Sequence, residues 1–270
     1  MALCVAGRLS PEVTLARLLL AGQSPDDIAA RLDGLDDPRA GELRALVATR
    51  RAALRQLGSM FAEVSHDETG LDAVRRLFDS AVARAPEASV AAYSLNDPAI
   101  LAAATEELVA WLDDAGLLRA EYDVLDLGCG IGRVAAAIAP RVRTVLGVDV
   151  SAAMIAEAQR RCAAANVRFA AVDGTGLDSM PDGTVDLVLA VDSVPYLVQA
   201  GVAEAHMRDI ARALRPGGTL AIFNLSYRND PALDAADLAR WADGYDLRVV
   251  ADGITPFKLW DGRGFVLRQP

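Results

Sequence analysis

The chain has 270 residues, of which 53% are hydrophobic and 24% charged, a composition that argues against a disordered tail and predicts a folded protein with a buried core. Its 27 basic and 37 acidic residues give a formal net charge of −10 at pH 7. Surfaces that bind DNA or RNA need clustered basic side chains to neutralise the phosphates. We therefore expect no nucleic acid as the main partner.

The few cysteine and histidine residues predict neither a disulfide framework nor a metal site. Cys4, Cys129 and Cys162 are an odd number without the spacing of zinc ligands, and only His66 and His206 could supplement them. The amino-terminal residues lack a basic leader, and no apolar run approaches the roughly 18 residues that span a bilayer. We expect a cytoplasmic protein that does not enter a membrane.

The first part of the chain, to about residue 118, predicts successive helices and no strand. Ser10 and Ser24 are each followed by a proline and then by acidic residues, which is typical of a helix start. Gly22 and Gly34 are placed to end these two helices. Apolar residues at helical spacing predict further helices over 43–57, 71–82 and 98–118.

From residue 122 onward, short β-rich runs alternate with helical segments. The predicted strands cover 122–127, 144–148, 167–172, 185–191, 219–224, 247–251 and 265–268. The predicted helices between the first five strands cover 132–139, 151–164 and 201–214. This alternation predicts an α/β domain with a parallel sheet, in which ligands bind beyond the carboxyl ends of the strands.

A glycine-rich loop follows the first predicted strand. Gly128, Gly130 and Gly132 let the backbone pass close to a ligand, and the helix that follows offers free amide groups to an anion. A dinucleotide fingerprint would require its third glycine at the next position, which is occupied by Arg133. The spacing therefore disfavours a nicotinamide-dependent oxidoreductase, which we keep as an alternative.

Acidic residues end the next two strands. Asp149 can accept hydrogen bonds from both ribose hydroxyls of a nucleoside that lies across the glycine loop, although this position also suits nicotinamide cofactors. Asp173 can accept a hydrogen bond from the exocyclic amine of an adenine ring. Both residues predict nucleoside binding without identifying the cofactor.

Five segments in this order resemble the motifs of the class I S-adenosylmethionine-dependent methyltransferases. They are DLGCGIG, GVDVSAAM, VDG, VDLVLAVDSVPYL and LRPGGTLAIF, and the resemblance covers roughly residues 122–224. It implies a seven-stranded, mostly parallel, doubly wound sheet whose last strand is antiparallel and inserted next to the fifth. It also implies S-adenosyl-L-methionine as the cofactor, S-adenosyl-L-homocysteine as the product, and transfer of a methyl group to a small-molecule nucleophile by in-line displacement.

The resemblance implies cofactor-binding roles for a set of positions. Asp126 would hold the glycine loop and the amino-acid end of the cofactor, Asp149 the ribose hydroxyls and Asp173 the adenine edge. Val191 or Asp192 would present a backbone carbonyl to the methionine ammonium group. The complete set comprises Asp126, Gly128, Cys129, Gly130, Gly132, Asp149, Val150, Met154, Asp173, Gly174, Val191 and Asp192.

Two residues are candidates for catalysis. Tyr196 follows Pro195 in the fourth loop, beside the expected methyl group, where it could act on or bind the acceptor, or could simply close the pocket floor. His206 could serve as a general base. It flanks the apolar stripe of its helix, however, so a partly exposed residue without a catalytic role is the favoured interpretation.

Substrate binding is predicted for residues on both sides of the motifs. Tyr93 lies ahead of the helix that precedes the first strand, and this region could fold over the cofactor. Tyr227 and Arg228 follow the fifth strand, where Arg228 could bind a substrate carboxylate or pair with Asp230 or another surface acid. Trp260 could line the pocket or belong to the core.

We predict two domains, a helical cap over 1–88 and an S-adenosylmethionine-binding methyltransferase domain over 89–270. The cap would serve substrate recognition or oligomerisation, with a homodimer formed through its helices as one possibility. The alternative from another class is a non-catalytic S-adenosylmethionine-binding regulator, because GQSPDDIAARL resembles the first half of a helix-turn-helix. Arg50, Arg51 and Arg55 supply only a weak basic recognition helix for it.

Overall fold

The computed structural model describes residues 9–62 and 70–270, together with residues 4 and 7. His66 lies outside the described residues. The chain divides into two compact units. The helical unit comprises Met1–Glu68, Ser80–Glu107 and Phe257–Asp261, and the sheet unit comprises Thr69–Asp79, Leu108–Pro256 and Gly262–Pro270. The domain boundary at residue 88 stays a prediction.

Helices form most of the regular structure of the described residues before the first strand, as predicted. In chain order the α-helices are α1 (Pro11–Leu20), α2 (Pro25–Leu32), α3 (Pro38–Ala62), α4 (Leu71–Arg84), α5 (Pro86–Val90), α6 (Pro98–Asp114), α7 (Arg133–Ile138), α8 (Ala152–Arg161), α9 (Val194–Gln199), α10 (Ala203–Ala213) and α11 (Pro231–Gly244). Three of them, α5, α9 and α11, were not predicted. Asp230 caps α11 by accepting from the backbone N–H groups of Ala232 and Leu233, and Pro231 follows it, as in the predicted starts of α1 and α2.

Local hydrogen bonds start the first two helices of the helical unit. The Ser10 hydroxyl accepts from the backbone N–H of Val13 at 3.2 Å, and the Ser24 hydroxyl accepts from that of Asp27 at 3.1 Å. The Asp27 carboxylate in turn accepts from the Ser24 backbone N–H at 3.2 Å, which completes a capping box. Such a cap stabilises a helix by about 1 kcal/mol, so short-range sequence signals determine where these helices begin.

The sheet unit contains one seven-stranded sheet. Its strands are β1 (Asp123–Leu127), β2 (Thr144–Asp149), β3 (Val167–Ala171), β4 (Val185–Val191), β5 (Leu214–Phe223), β6 (Arg248–Ile254) and β7 (Gly264–Arg268). Their order is β3-β2-β1-β4-β5-β7-β6, with β1 to β5 parallel and β7 antiparallel to both β5 and β6. This topology confirms the expected doubly wound sheet, including the last strand inserted beside the fifth.

Strand β5 begins earlier than predicted because it contains an irregularity. Val185 pairs with Leu214, whereas Leu187 pairs with Thr219, so the residues between the two partners bulge out of the ladder. Gly217 lies within this segment at φ 78°, a conformation that other residues rarely adopt. The segment LRPGG, which comes before the predicted strand at 219–224, therefore lies within β5 and interrupts its pairing with β4.

Apolar side chains of the central strands, α10 and α11 form the core of the sheet unit. Fully buried members of this core include Leu125, Val188, Leu220 and Ile222 of the strands, Met207 and Ile210 of α10, and Leu238 and Trp241 of α11. None of the described helices is long and apolar enough to cross a membrane. The core anchors the strands so that the loops after their carboxyl ends meet at one edge of the sheet.

Candidate functional site

The glycine loop turns sharply between the ends of β1 and α7. Gly128, Gly130 and Gly132 all have positive φ, at 71°, 52° and 75°. A Cβ atom at Gly128 would lie 2.4 Å from Ser193 Cβ, and one at Gly132 would lie 2.7 Å from Phe169 Cζ. The loop therefore requires glycine at positions 128 and 132 for both conformation and space.

Asp149, at the end of β2, connects this loop to the start of α8. Its Oδ2 accepts from the backbone N–H of Gly130 at 2.9 Å, and its Oδ1 accepts from that of Ser151 at 2.9 Å. Burial raises the pKa of this carboxyl, although these backbone donors favour its charged form. Because a carboxylate can accept about four hydrogen bonds, acceptor capacity remains for further donors.

Asp126 of β1 lies beneath the same loop with its side chain out of water. Its Oδ2 is buried and has no hydrogen-bond partner in the described part of the chain. Burial raises the pKa of Asp126 to about 7, while the Arg133 charge and the Ala135 backbone N–H act in the opposite direction. The buried Ser193 hydroxyl likewise has no partner among the described residues. Unpaired buried polar atoms are costly, so two of them beside a glycine loop indicate groups that a bound ligand would pair with.

The loop after β3 holds Asp173 in a turn of its own. The Asp173 Oδ1 accepts from the Thr175 backbone N–H at 2.9 Å and from the Thr175 hydroxyl at 2.8 Å, and these bonds lower the pKa of the carboxyl. Gly174 is buried at φ 83°, and a Cβ atom there would lie 2.5 Å from Val150 Cγ1 and 3.1 Å from Leu71 Cδ2. The two positions predicted beside an adenine ring, 150 and 174, are thus in contact.

The ends of β4 and β5 are joined by side chains in strained turns. Asp192 and Asn224 have φ of 58° and 64°, and Asn224 Nδ2 donates to Asp192 Oδ1 at 2.6 Å. The Tyr227 hydroxyl donates to the same oxygen at 3.1 Å. The Arg263 backbone N–H donates to Asn224 Oδ1 at 3.0 Å, which fixes the amide orientation. Asn224 was not predicted, because its role depends on β7 lying beside β5.

Three aromatic rings line the same corner of the sheet unit. Tyr196 packs edge-on against Phe78 and Tyr227, with ring centroids 4.9 Å and 5.6 Å apart. Burial raises the pKa of Tyr196 to about 12, and the nearby Asp192 charge adds to the effect. The Tyr227 side chain is half exposed, but its hydroxyl faces Asp192, and its pKa is also raised. Both phenols are therefore neutral hydrogen-bond donors near pH 7 and not bases.

His206 and Arg228 have partners within the protein, which favours a structural role for both over catalysis or substrate binding. His206 is only 1% exposed, so the partial exposure expected from the sequence is wrong; α10 turns this side chain into the core. Its Nδ1 lies 3.0 Å from the Val202 backbone oxygen, and burial lowers its pKa. Arg228 pairs with Asp234 at 2.9 Å and Asp237 at 2.6 Å, which corresponds to the surface-acid alternative although not to Asp230.

The remaining predicted positions divide between the two units. Tyr93 and Trp260 belong to the helical unit, where both are buried and their rings stack with centroids 5.9 Å apart; Phe257 stacks on Trp260 at 4.8 Å. A substrate-binding role for Tyr93 and Trp260 stays a prediction.

In the sheet unit, Cys129 and Met154 are buried, Cys129 in the glycine loop and Met154 in α8, and Val191 ends β4. Burial raises the pKa of the Cys129 thiol, which disfavours the thiolate form that a nucleophile requires.

One helix that the sequence did not connect with the site also reaches these loops. Arg75 of α4 donates to the Val150 backbone oxygen at 3.2 Å, and the Ser151 hydroxyl donates to Asp79 at 2.5 Å. Residues up to 79 of α4 belong to the sheet unit. The amphipathic pattern of 71–82 predicted the helix but not the surface that it covers.

The sequence of this chain is similar to those of known methyltransferases. Residues 124–218 match a family model described as a methyltransferase domain. The methyltransferase GfsG of Streptomyces halstedii is 34% identical over 129 residues, which is 46% of this chain and 44% of that protein. The trans-aconitate 2-methyltransferase of Paracidovorax citrulli (strain AAC00-1) is 34% identical over 132 residues, 47% of this chain and 49% of that protein. The chain spans about half the length of the curated relatives it matches.

Solved structures show the same fold over a larger share of the chain. The crystal structure of magnesium protoporphyrin IX methyltransferase (ChlM) from Synechocystis PCC 6803 with bound SAM aligns with a TM-score of 0.56. The alignment covers 76% of this chain and 100% of that chain at 18% sequence identity. At this identity the likeness concerns the fold alone.

Proposed function

We propose that this protein transfers a methyl group from S-adenosyl-L-methionine to a small-molecule nucleophile. The premise is that the chain belongs, through residues 124–218, to the class I S-adenosylmethionine-dependent methyltransferases. One observation carries the proposal. The partly buried Asp149 carboxylate accepts from the Gly130 backbone N–H of the glycine loop and can accept a further hydrogen bond. A nucleoside that lies across this loop would find its ribose acceptor already in place.

The residues around the loop fit each part of this cofactor. Asp149 would accept from the ribose hydroxyls, and Val150, with the buried Gly174 against it, would lie beside the adenine. Asp126 Oδ2, which is buried and unpaired in the described residues, would compensate the methionine ammonium charge. A site that binds only an anion would not have a buried carboxyl group beside the glycine loop. Asp126 therefore favours a ligand with a cationic end.

The cofactor supplies a methyl group on a positively charged sulfur, and the chain must place a nucleophile in line with it. Holding two reacting atoms at about 3 Å provides a large part of such a rate enhancement. Tyr196 and Tyr227 are neutral phenols at the corner formed by β4 and β5, where they would donate to and orient the acceptor. Because Tyr227 already donates to Asp192, an acceptor proton would pass to the Tyr227 oxygen as the phenol proton moves to Asp192.

The small-molecule acceptor is supported by the charge of the chain and by the activity of one relative. A net charge of −10 disfavours a polyanionic substrate such as DNA or RNA. Of the relatives named above, the trans-aconitate 2-methyltransferase has a small-molecule acceptor in its name. The cytoplasmic location and the homodimer through the amino-terminal helices stay predictions.

Isothermal titration calorimetry with the purified full chain tests the cofactor, using S-adenosylhomocysteine and NADH as the two ligands. We expect binding of S-adenosylhomocysteine and none of NADH. Preferential binding of NADH would overturn the proposal in favour of an oxidoreductase. A radiolabelled methyl-transfer screen across carboxylic acids, phenols, amines and thiols then tests catalysis; binding without transfer to any class would favour the regulator instead.

A further inference from the structure

The first two turns of α4 place one side of the helix against the loops that would bind the cofactor. Leu71, Arg75, Phe78 and Asp79 follow the spacing i, i+4, i+7 and i+8, so they share one helix face. All four belong to the sheet unit, although they precede the family-model match by more than forty residues. The match to the methyltransferase domain therefore assigns no role to this face, which we call the α4 face.

Arg75 bridges the two loops that follow β2 and β3. Its Nε donates to the Val150 backbone oxygen at 3.2 Å, and its Nη2 donates to the Asp173 backbone oxygen at 3.4 Å. Its Nη1 donates to the Asp72 carboxylate at 2.7 Å, one helical turn away, which holds the guanidinium plane. A planar guanidinium can make these three bonds at once, whereas a lysine ammonium on a flexible stem lacks this fixed geometry.

Asp79 fixes the start of α8 from the same side. The Ser151 hydroxyl donates to Asp79 Oδ1 at 2.5 Å, and the Ala153 backbone N–H donates to the same oxygen at 3.4 Å. Ser151 in turn accepts from the Met154 backbone N–H at 3.0 Å, so Asp79 orients the hydroxyl that caps α8. Ser151 also donates its own backbone N–H to Asp149. The position of the predicted ribose acceptor is thus coupled to α4.

Apolar contacts complete the α4 face. A Cβ atom at Gly174 would lie 3.1 Å from Leu71 Cδ2, which places the Leu71 side chain at the turn after β3. The Phe78 ring packs edge-on against Tyr196 after β4. One helix face therefore touches the segments that follow β2, β3 and β4, at the residues directly beside Asp149 and Asp173 and at Tyr196.

The geometry points to Arg75 and Asp79 as positioning residues for the adenosine half of S-adenosylmethionine, an inference that rests on the proposed function. They hold the loops of Asp149 and Asp173 at a set separation before the ligand arrives. Loops that are ordered in advance do not have to lose conformational freedom on binding, and this increases affinity without a direct contact. Neither residue touches the reacting methyl group in this assignment.

The test measures dissociation constants of the full-length protein by calorimetry with two probes, S-adenosylhomocysteine and 5′-methylthioadenosine, which lacks the amino-acid end. Arg75→Ala should weaken both ligands by the same factor of about tenfold, because the affected loops face the adenosine part shared by the probes. Arg76→Ala, at the adjacent exposed position of the same helix, is the matched control and should change both constants less than twofold.

A second pair of variants separates positioning from general destabilisation. Asp79→Ala should weaken both probes, whereas Asp79→Asn retains an oxygen that accepts from Ser151 and should restore most of the affinity. In methyl-transfer assays, Arg75→Ala and Asp79→Ala should raise KM for S-adenosylmethionine and leave kcat within twofold. A purely structural role would lower thermal stability without this split between KM and kcat.

Two outcomes distinguish the failure of the inference from that of the function beneath it. Wild-type protein that binds neither probe overturns the proposed function and, with it, the inference. Wild-type protein that binds both probes, with Arg75→Ala and Asp79→Ala binding them equally well, overturns the positioning role alone. Should Arg75→Ala fail to fold, the Asp79→Ala and Asp79→Asn pair decides the question by the same comparison.

Discussion

The parallel strands of the sheet begin at one edge and end at the opposite one, which we call the amino edge and the carboxyl edge. Aspartate residues have opposite roles at these two edges. At the amino edge, Asp123 opens β1 and pairs with Arg143 and with Arg215, the latter at 2.9 Å. The Arg143 hydrogen bond holds the pKa of Asp123 below its usual range, with burial acting in the opposite direction. Three residues along the same strand, at the carboxyl edge, Asp126 is buried with one oxygen unpaired in the described structure, and its pKa is raised to about 7.

This contrast separates stabilising acids from acids kept for a ligand. A carboxylate paired with arginine at a partly exposed edge favours the folded state. A carboxyl group that is buried without a full set of partners opposes folding whenever it must be charged. Persistence of the second arrangement in β1 is consistent with a ligand that supplies the missing charge. The predictions that follow compare the two edges by substitution.

The largest effect is expected from Asp126→Asn on the stability of the ligand-free protein. The folded state raises the pKa of Asp126 from 3.8 to about 7, so between these values only the folded state retains the proton. Stability therefore falls as the pH rises through this window, and the cost above pH 7 is on the order of 4 kcal/mol at about 1.4 kcal/mol per pKa unit. The substitution should remove that cost.

Urea denaturation of wild type and Asp126→Asn at pH 4, 5.5, 7 and 8 measures this effect. The stability difference should be small at pH 4, grow to pH 7 and then level off. A difference that does not vary with pH would contradict the raised pKa of Asp126. The same variant should bind S-adenosylhomocysteine more weakly than wild type at pH 8, where the carboxylate would otherwise compensate the ammonium charge.

Asp149→Ala should weaken binding of S-adenosylhomocysteine by about 100-fold. The variant would lose the hydrogen bonding between the ribose and this partly buried acceptor, together with the bond that holds Gly130. Calorimetry measures the constant, and Asp186→Ala at the amino edge is the control. Asp186 accepts from the Asp123 backbone N–H at 2.8 Å, so its loss should lower stability but leave the dissociation constant unchanged. Equal constants for wild type and Asp149→Ala would place the ribose elsewhere.

Asp123→Asn should destabilise the protein by roughly 1–2 kcal/mol at pH 7 without weakening cofactor binding. The folded state lowers the pKa of Asp123, so its contribution is present above the unfolded value near 3.8 and is lost as the pH falls through the lower, folded value. Thermal denaturation at pH 7 and pH 3 checks the sign, because the two proteins should converge on acidification. A loss of cofactor affinity instead would mean that the two edges are not independent.

The smallest effect is expected from Tyr227→Phe, which removes only the hydroxyl that donates to Asp192. Affinity for S-adenosylhomocysteine should stay within twofold, since Asn224 still holds the Asp192 carboxylate at 2.6 Å. The methyl-transfer rate should fall by no more than about tenfold, because this phenol would orient the acceptor and relay its proton. Leu233→Ala, at an exposed position of α11, serves as the matched surface control. An unchanged rate would remove Tyr227 from the acceptor site.

Much of the fold could be predicted because its signals are local. The serine–proline pairs that start α1 and α2 determine the structure of only a few residues, and so do the β-rich runs. The positive φ angles of Gly128, Gly130 and Gly132 are possible because glycine has no side chain. The strand order came from the resemblance of the five ordered segments and is confirmed by the sheet.

The burial of single side chains was less predictable. The flank position of His206 on α10 did not reveal that neighbouring elements cover this side of the helix completely. The pairing of Arg228 depended on where α11 begins, since Asp234 and Asp237 lie on that helix. Sequence spacing limits which partners are available to a charge, but only packing selects among them.

The sequence by itself determined most of the helices, the strands and the glycine loop, together with the acids that would bind a nucleoside. Only the tertiary structure decided which acids are neutralised by arginine, and that α4 reaches the loops after β2 and β3. Arg215 and Asp123 are 92 residues apart, and Arg75 and Val150 are 75 apart. Contacts over such distances depend on how the chain folds back on itself, and no local pattern of residues encodes them.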